Sequence, residues 1–291
     1  MAAPRSNKNL LAVPGVLTDI CRYHPSMVAA VIFIILFIAT TSVHVFQAAK
    51  GRTYYFIPLI LGGFFEWIGY VGRALAHSNE HSLGIYILQT LLLLLAPALF
   101  AASIYMVLGR LVLLTNSESL APIRSSRLTK IFVLGDVASF LVQSGGGAMM
   151  SNAKSQNSGK TIIIIGLFLQ LIFFGVFVVT SAIFHKRLSA SPTGESMRVP
   201  WKKYIFALYG ASVLILIRCV FRVIEFLSGN TGYLAEHEIF LYLFDGVLML
   251  GVMVGFNFVH PGAIIGRNAA KADGIILSDS ESMGGLRLER N

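Results

Sequence analysis

The feature that most constrains this chain is a series of seven apolar segments, each long enough to cross a bilayer. A helix needs about 20 residues to span a hydrocarbon core of about 30 Å. Because that core offers no water to backbone N–H and C=O groups, segments of this length are expected to be helical. The predicted spans are Met27–Phe46, Tyr54–Ala76, Leu83–Leu114, Leu128–Met150, Thr161–Phe184, Tyr204–Leu227 and His237–Val259.

The composition agrees with a membrane setting, since 55% of the 291 residues are hydrophobic and only 13% are charged. Soluble proteins carry about 25% charged residues. A net charge of +9 would suggest a nucleic-acid ligand in a soluble domain. Here the basic residues lie in short loops beside apolar segments, where Lys and Arg set membrane orientation. We therefore expect no nucleic-acid partner.

The distribution of basic residues predicts the orientation of the chain. Loops one, three and five and the carboxyl-terminal tail hold 13 lysines and arginines, whereas the amino terminus and loops two, four and six hold 5. The more basic side is cytoplasmic. We predict an all-α integral membrane bundle of seven helices with its amino terminus outside and its carboxyl terminus inside. Its parts are an extracellular segment 1–26, a transmembrane domain 27–259 and a polar, disordered cytoplasmic tail 260–291.

Ionisable side chains inside four of the predicted spans are the main functional signal. Each costs on the order of 3 kcal/mol at mid-membrane, so such residues usually face the bundle interior. Their spacing places the members of each set on one helical face. The sets are Glu66 with Arg73, Asp136 with Gln143, Arg218 with Arg222 and Glu225, and Glu238 with Asp245.

Counting residues from the outer edge gives a hypothesis about partners. Glu66 matches Arg218 in depth and opposes it in sign, and Arg73 matches Glu225 in the same way. The same count brings Asp245 near the depth of Arg218. These groups either form structural ion pairs or line a polar cavity. We favour the cavity, because buried ion pairs stabilise a fold poorly compared with apolar packing.

Proline and glycine residues predict local features of the bundle. Pro97 inside the third span predicts a kink or tilt. Small residues at Gly62, Gly69 and Gly72, and a GxxxG at Gly251 and Gly255, predict close helix contacts. The triple glycine 145–147 would either end the fourth helix or loosen it and open its backbone at a cavity.

No catalytic or cofactor motif supports an enzyme. His77-Ser78-Asn79-Glu80-His81 matches H-x-x-E-H in form. That zinc chemistry needs a stable helix and a third ligand, whereas this stretch is expected to form a short loop. We therefore predict no metal, no cofactor and no enzymatic activity; a membrane-embedded hydrolase is disfavoured for the same reason.

The polar residues and their neighbours together resemble a known family. The resemblance is to the fungal RTA-like family, also called lipid-translocating exporters. It is carried by Glu66-Trp67-Ile68-Gly69-Tyr70 with Arg73, Asp136 with Gln143-Ser144-Gly145-Gly146-Gly147, Arg218-Cys219-Val220-Phe221-Arg222 with Glu225, and Glu238 with Tyr242 and Asp245. The resemblance implies a multi-pass plasma-membrane protein with an external amino terminus, in which these residues, Tyr70 among them, form a shared polar core. Members of this family are linked to release of sphingoid bases, to phospholipid asymmetry, and to resistance to toxic amphiphiles and sterol-like drugs, so the resemblance implies a role of this kind. At least one relative is linked to porphyrin transport.

Two functions therefore remain open. The first is an exporter of amphiphilic lipids such as sphingoid long-chain bases, with Glu66, Asp136 or Asp245 as counter-ion for the ammonium. The alternative is a seven-helix sensor or receptor that binds a lipid, sterol or porphyrin. In both cases the partners are membrane lipids or amphiphilic small molecules. The sequence leaves the oligomeric state open, with a homodimer as one option.

Overall fold

The protein is a bundle of helices in which the apolar segments adopt the regular structure that the membrane requires. The computed structural model describes residues 26–51, 53–78, 83–150, 155–228 and 238–260, and these residues contain no β-strand. The helices are α1 Met27–Gly51, α2 Ile57–Ser78, α3 Leu83–Leu114, α4 Ser125–Met150, α5 Gln156–Ala190, α6 Gly194–Arg198, α7 Trp201–Ser228 and α8. Helix α8 joins three stretches: Glu238–Leu241, a π-helical turn Tyr242–Val247, and Leu248–Phe258.

Seven of these helices are long and apolar enough to cross a membrane, which confirms the predicted number of spans within the described residues. Helix α6 is a short turn between α5 and α7. Helix α5 has 35 residues and is therefore about 52 Å long at 1.5 Å per residue. The predicted span Thr161–Phe184 is too short at both ends, because hydropathy detects only the part of a helix that lies in hydrocarbon. The predicted terminal segments 1–26 and 260–291 lie almost entirely outside the described residues.

The spanning helices form a ring around a central helix. Each helix contacts the next along the chain, α8 returns to pack against α1, and α3 contacts α7 in addition to α2 and α4. In the most apolar part of α3, 72% of the residues are buried, against 28% in α1. Small side chains allow this central position; those buried in α3 include Ala96, Ala98, Ala101, Ala102 and Ser103.

Glycines set several of the helix contacts, although not all of those predicted. A Cβ atom on Gly62 would lie 2.6 Å from the Phe100 ring, and one on Gly69 would lie 2.8 Å from the Leu93 side chain, so α2 approaches α3 closely. In α8 the predicted GxxxG contact holds only for Gly251, since a Cβ on Gly255 would meet nothing within 4 Å.

The triple glycine does not interrupt its helix. Helix α4 continues unbroken to Met150, so the predicted loosening at 145–147 is wrong. A Cβ on Gly146 would lie 2.7 Å from the carbonyl oxygen of Gly159, whereas Gly145 and Gly147 have open space around them. Only the central glycine is therefore required for packing, and it serves the contact between α4 and α5.

Candidate functional site

The centre of the bundle holds a cluster of ionisable side chains from α2, α7 and α8. Glu66, Tyr70 and Arg73 follow one another at helical spacing along one face of α2 and are all buried. Arg218 in α7 and Asp245 in α8 are buried beside this face. The structure therefore brings together five of the residues predicted from sequence, and we call Glu66, Arg218 and Asp245 the ionic centre.

Arg218 and Asp245 form the salt bridge of this centre. The Arg218 Nε atom donates to the Asp245 Oδ1 atom, and both side chains are shielded from solvent. The predicted salt bridge between Glu66 and Arg218 is therefore wrong, because the guanidinium pairs with α8 instead of α2. The predicted nearness of Asp245 to Arg218 is confirmed.

A backbone carbonyl of α3 is the second hydrogen-bond partner of Arg218. In a regular α-helix the carbonyl of residue 93 would accept a hydrogen bond from the N–H of residue 97. Pro97 has no N–H, so the Leu93 oxygen lacks its intrahelical donor. The Arg218 Nη2 atom donates to this oxygen at 2.8 Å. Sequence reasoning missed Leu93, although a proline four residues later was a signal that could have found it.

Glu66 lies beside the salt bridge without joining it. Its side chain is fully buried and interacts electrostatically with both Arg218 and Asp245. Neither carboxylate oxygen has a hydrogen-bond partner within the described part of the chain. Two carboxyl groups thus lie near one guanidinium that is bound to only one of them, which is an unusual arrangement for a buried site because an uncompensated charge is costly there.

The π-helical turn brings Asp245 into the ionic centre. Such turns insert an extra residue into a helix and occur often at functional sites. The next residue, Gly246, packs directly on α2 and α1, since a Cβ there would lie 2.5 Å from the Tyr70 Oη atom and 2.7 Å from the Phe33 ring. Hydropathy could not predict this turn, because it changes the hydrogen bonding of the helix and not its apolar character.

Aromatic rings form one wall of the cluster. The wall consists of Phe33 and Phe37 of α1, Tyr70 of α2 and Tyr242 of α8. Tyr70 stacks on the other three rings and Phe33 stacks on Tyr242, with centroid separations of 5.2 to 5.8 Å. Arg73 lies at the edge of this wall. Its Nε atom donates to the Tyr242 Oη atom at 3.2 Å, and its guanidinium lies 5.3 Å from the centroid of that ring.

The outer pair predicted from depth does not form. Glu225 accepts a hydrogen bond from Arg222 of its own helix at 2.7 Å, instead of pairing with Arg73. These two residues are separated by three positions in α7, a spacing at which side chains of one helix meet. Glu238 begins α8, and its side chain lies outside the described part of the structure.

The polar residues of α4 have partners of their own. Asp136 accepts a hydrogen bond from the Tyr105 Oη atom at 2.9 Å, and Gln143 donates to Gln170 of α5 at 3.1 Å. Cys219 interacts electrostatically with Arg218, Asp136 and Asp245, so Asp136 lies near the ionic centre but outside it.

No metal site is evident in the part of the chain that the structure covers. These residues contain no group of three or more His, Cys, Asp or Glu side chains that could hold a metal ion. The H-x-x-E-H stretch is not tested, because residues 79–82 lie outside the described ranges. The described side chains of the site are buried carboxyl groups, guanidinium groups and aromatic rings.

The fold and the site define a class: a polytopic membrane protein whose seven spanning helices enclose a buried ionic centre. Within that class, the chain belongs to the family described as RTA1 like protein, which matches residues 59–268. That range contains every site residue predicted from sequence, from Glu66 to Asp245.

Several curated proteins are similar to this chain. Protein RTA1 of Saccharomyces cerevisiae is 36% identical over 90% of this chain and 94% of its own length. Protoporphyrin uptake protein 1 of the same species is also 36% identical, over 81% of this chain and 89% of its own. The sphingoid long-chain base transporter RSB1, from another strain, is 25% identical over 84% of this chain and 74% of its own. No solved structure matches the chain.

Proposed function

We propose that this protein transports amphiphiles with a cationic head group, such as sphingoid long-chain bases, across the plasma membrane and thereby confers resistance to toxic amphiphiles. The observation that carries the proposal is the second carboxyl group of the ionic centre. Glu66 is fully buried beside the Arg218–Asp245 salt bridge and has no hydrogen-bond donor of its own among the described residues. A cationic ligand would supply the missing charge.

The surroundings of Glu66 suit a ligand with a charged head and an apolar body. A buried carboxylate gains most from an ammonium or guanidinium partner, because charge-assisted hydrogen bonds are the strong ones. The stacked rings of Phe33, Phe37, Tyr70 and Tyr242 provide an apolar wall beside the charge. Aromatic faces also attract cations directly.

The relatives support transport of an amphiphile without fixing its identity. One relative is named for sphingoid long-chain bases and another for protoporphyrin. A sphingoid base is cationic, whereas a protoporphyrin carries carboxylates. Because the ionic centre holds two carboxyl groups and one guanidinium, we favour a cationic substrate for this chain. The names also favour a membrane transporter over an enzyme.

Reconstitution into liposomes tests the proposal. Movement of a fluorescent sphingoid base between leaflets would be followed for wild-type protein, Glu66→Gln and Asp245→Asn. Removing one partner of a buried charged contact costs about 2–5 kcal/mol, so we expect each variant to slow movement by about tenfold or more.

Glu195→Gln is the matched control, because Glu195 makes only a solvent-exposed pair with Arg198. Its rate should equal that of the wild type. If wild-type protein bound the probe without moving it, the transport proposal would be wrong and the receptor alternative would be favoured.

A further inference from the structure

The ionic centre has two carboxyl groups but only one guanidinium, so its charges do not balance if all three groups are ionised. Arg218 contributes one positive charge, while Asp245 and Glu66 could each contribute one negative charge. All three side chains are buried within the membrane-spanning part of the protein. A lone charge in such surroundings is costly, so two carboxylates with one guanidinium are strongly disfavoured.

Hydrogen bonding distinguishes the two carboxyl groups. Asp245 accepts a hydrogen bond from the Arg218 guanidinium, so the positive charge of the arginine lies directly against this carboxyl group. Glu66 receives no hydrogen bond at either oxygen from the described residues. A second donor of Arg218 is directed away from Glu66, since the Nη2 atom donates to the Leu93 carbonyl at 2.8 Å. The group that must lose its charge when the site is empty is therefore Glu66.

Among the residues that the structure describes, the other groups around Glu66 do not supply a compensating cation. Tyr70 of α2 is a further ionisable neighbour among the described residues, and a tyrosine side chain cannot carry a positive charge. Helix α1 contributes the aromatic side chains of Phe33 and Phe37 at Tyr70, and α3 contributes a backbone carbonyl. Arg73 lies two turns further along α2, about 10 Å of helix rise away, and is engaged with Tyr242.

We propose that Glu66 is the proton carrier of this protein, and that it exchanges one proton for one amphiphilic cation. The inference rests on the proposed transport function and extends it to the energy source. In the empty site Glu66 is a neutral carboxylic acid. Its O–H bond breaks when a cation binds, the proton leaves to water on that side of the membrane, and the carboxylate pairs with the cation.

Release of the cation reverses these steps. A proton from the other side binds the Glu66 carboxylate, which becomes neutral again, and the cation leaves. One proton thus crosses in one direction for each monovalent cation that crosses in the other. The exchange is electroneutral and balanced, because the ionic centre together with its bound cation has the same net charge as the empty, protonated centre.

Proton release on binding tests the inference directly. The probe is a long-chain base methylated to a quaternary ammonium, which has no ionisable amine proton, so a released proton must come from the protein. Purified full-length protein in weakly buffered detergent solution near pH 7 should release about one proton per probe bound. Glu66→Gln, which is neutral and nearly isosteric, should release none when probe is bound, and Glu195→Gln should match the wild type.

A pH gradient gives a second measurement that needs no variant. In one-for-one exchange the cation and proton gradients become equal at equilibrium, so a difference of one pH unit across a proteoliposome should support about tenfold accumulation of the probe. Accumulation should disappear when a proton ionophore removes the gradient.

The outcomes separate the two proposals. Probe movement that is independent of the pH gradient, or binding without proton release by the wild type, would overturn proton exchange and leave transport standing. Failure of the wild type to bind or move the probe would overturn the transport function itself, and proton exchange with it. Release of the same number of protons by Glu66→Gln would show that another group is the carrier.

Discussion

Arg218 joins three helices at one side chain. Its guanidinium binds Asp245 of α8 and the Leu93 carbonyl of α3, and its own backbone belongs to α7. Only 2% of the residue is exposed. A buried charge of this kind stabilises a fold only while its partner is present, because removing one partner leaves the other uncompensated. The effects of substitutions at Arg218 and Asp245 on the free energy of unfolding should therefore be strongly coupled.

We predict that Arg218→Gln alone lowers the free energy of unfolding by about 3–5 kcal/mol, because it leaves buried carboxyl groups without a cation. Adding Asp245→Asn should recover part of that loss. A double-mutant cycle, measured by unfolding in a denaturing detergent, should give a coupling energy of about 1 kcal/mol or more.

The exposed pair of Glu195 and Arg198 provides the control for this cycle. Its atoms are 3.4 Å apart, but the side chains are 51% and 78% exposed. Solvent screening reduces the energy of such pairs to about 1 kcal/mol or less, so its coupling should be smaller. Strictly additive effects of Arg218→Gln and Asp245→Asn would contradict the salt bridge.

At the scale of whole elements, two irregular helices meet at the ionic centre. Pro97 leaves the Leu93 carbonyl of α3 without its intrahelical donor, and the π turn of α8 carries Asp245. Arg218 contacts both places. Irregular backbone is tolerated inside a membrane only where other groups satisfy it, and in α3 the arginine satisfies the Leu93 carbonyl. The ionic centre thus depends on local departures from regular helix.

Pro97→Ala should separate stability from function. The new N–H can donate to the Leu93 carbonyl and compete with Arg218 for it. Proline in a helix interior costs about 3 kcal/mol relative to alanine, so thermal stability should be unchanged or higher. Transport of the fluorescent base in liposomes should nevertheless be slower.

Pro58→Ala is the matched control, since Pro58 lies in the first turn of α2, where a missing N–H has no intrahelical partner to lose. It should affect neither stability nor transport appreciably. Normal transport by Pro97→Ala would show that the free carbonyl is not needed for function.

At the scale of the molecule, the protein is apolar outside and polar at its centre. Large hydrophobic side chains on its surface are 60% to 69% exposed, as a lipid-facing surface requires; examples are Ile35, Leu134, Leu141 and Ile172. Glu66 is fully buried, so the structure represents a closed arrangement of the ionic centre. Transport would require helices around α3 to separate and give access to each side in turn.

The orientation of this bundle is a prediction that rests on the basic residues of its loops and termini, of which 13 belong to one predicted side and 5 to the other. An epitope tag at the amino terminus should be accessible to antibody on intact cells. A tag after Arg267 should be accessible only after permeabilisation. Surface labelling in the same experiment tests the proposed plasma-membrane location. Reversed accessibility would show that the basic residues do not set the topology.

The sequence by itself determined the spans and the residues to be buried within them. A long apolar run must be helical in a membrane, and ionisable residues inside such a run avoid lipid. Both are local rules that need no knowledge of neighbouring helices. They found the third span at its observed bounds, Leu83–Leu114, and placed Glu66, Arg218 and Asp245 in the interior.

Only the tertiary structure decided which of those residues are partners. Counting along the chain gives the depth of a residue but not the rotation of its helix or the order of helices around the ring. The ring sets α7 against α8, so Arg218 pairs with Asp245, while Glu225 pairs with Arg222 one turn away in its own helix. Depth fixes one coordinate of a side chain, and packing of the whole bundle fixes the other two.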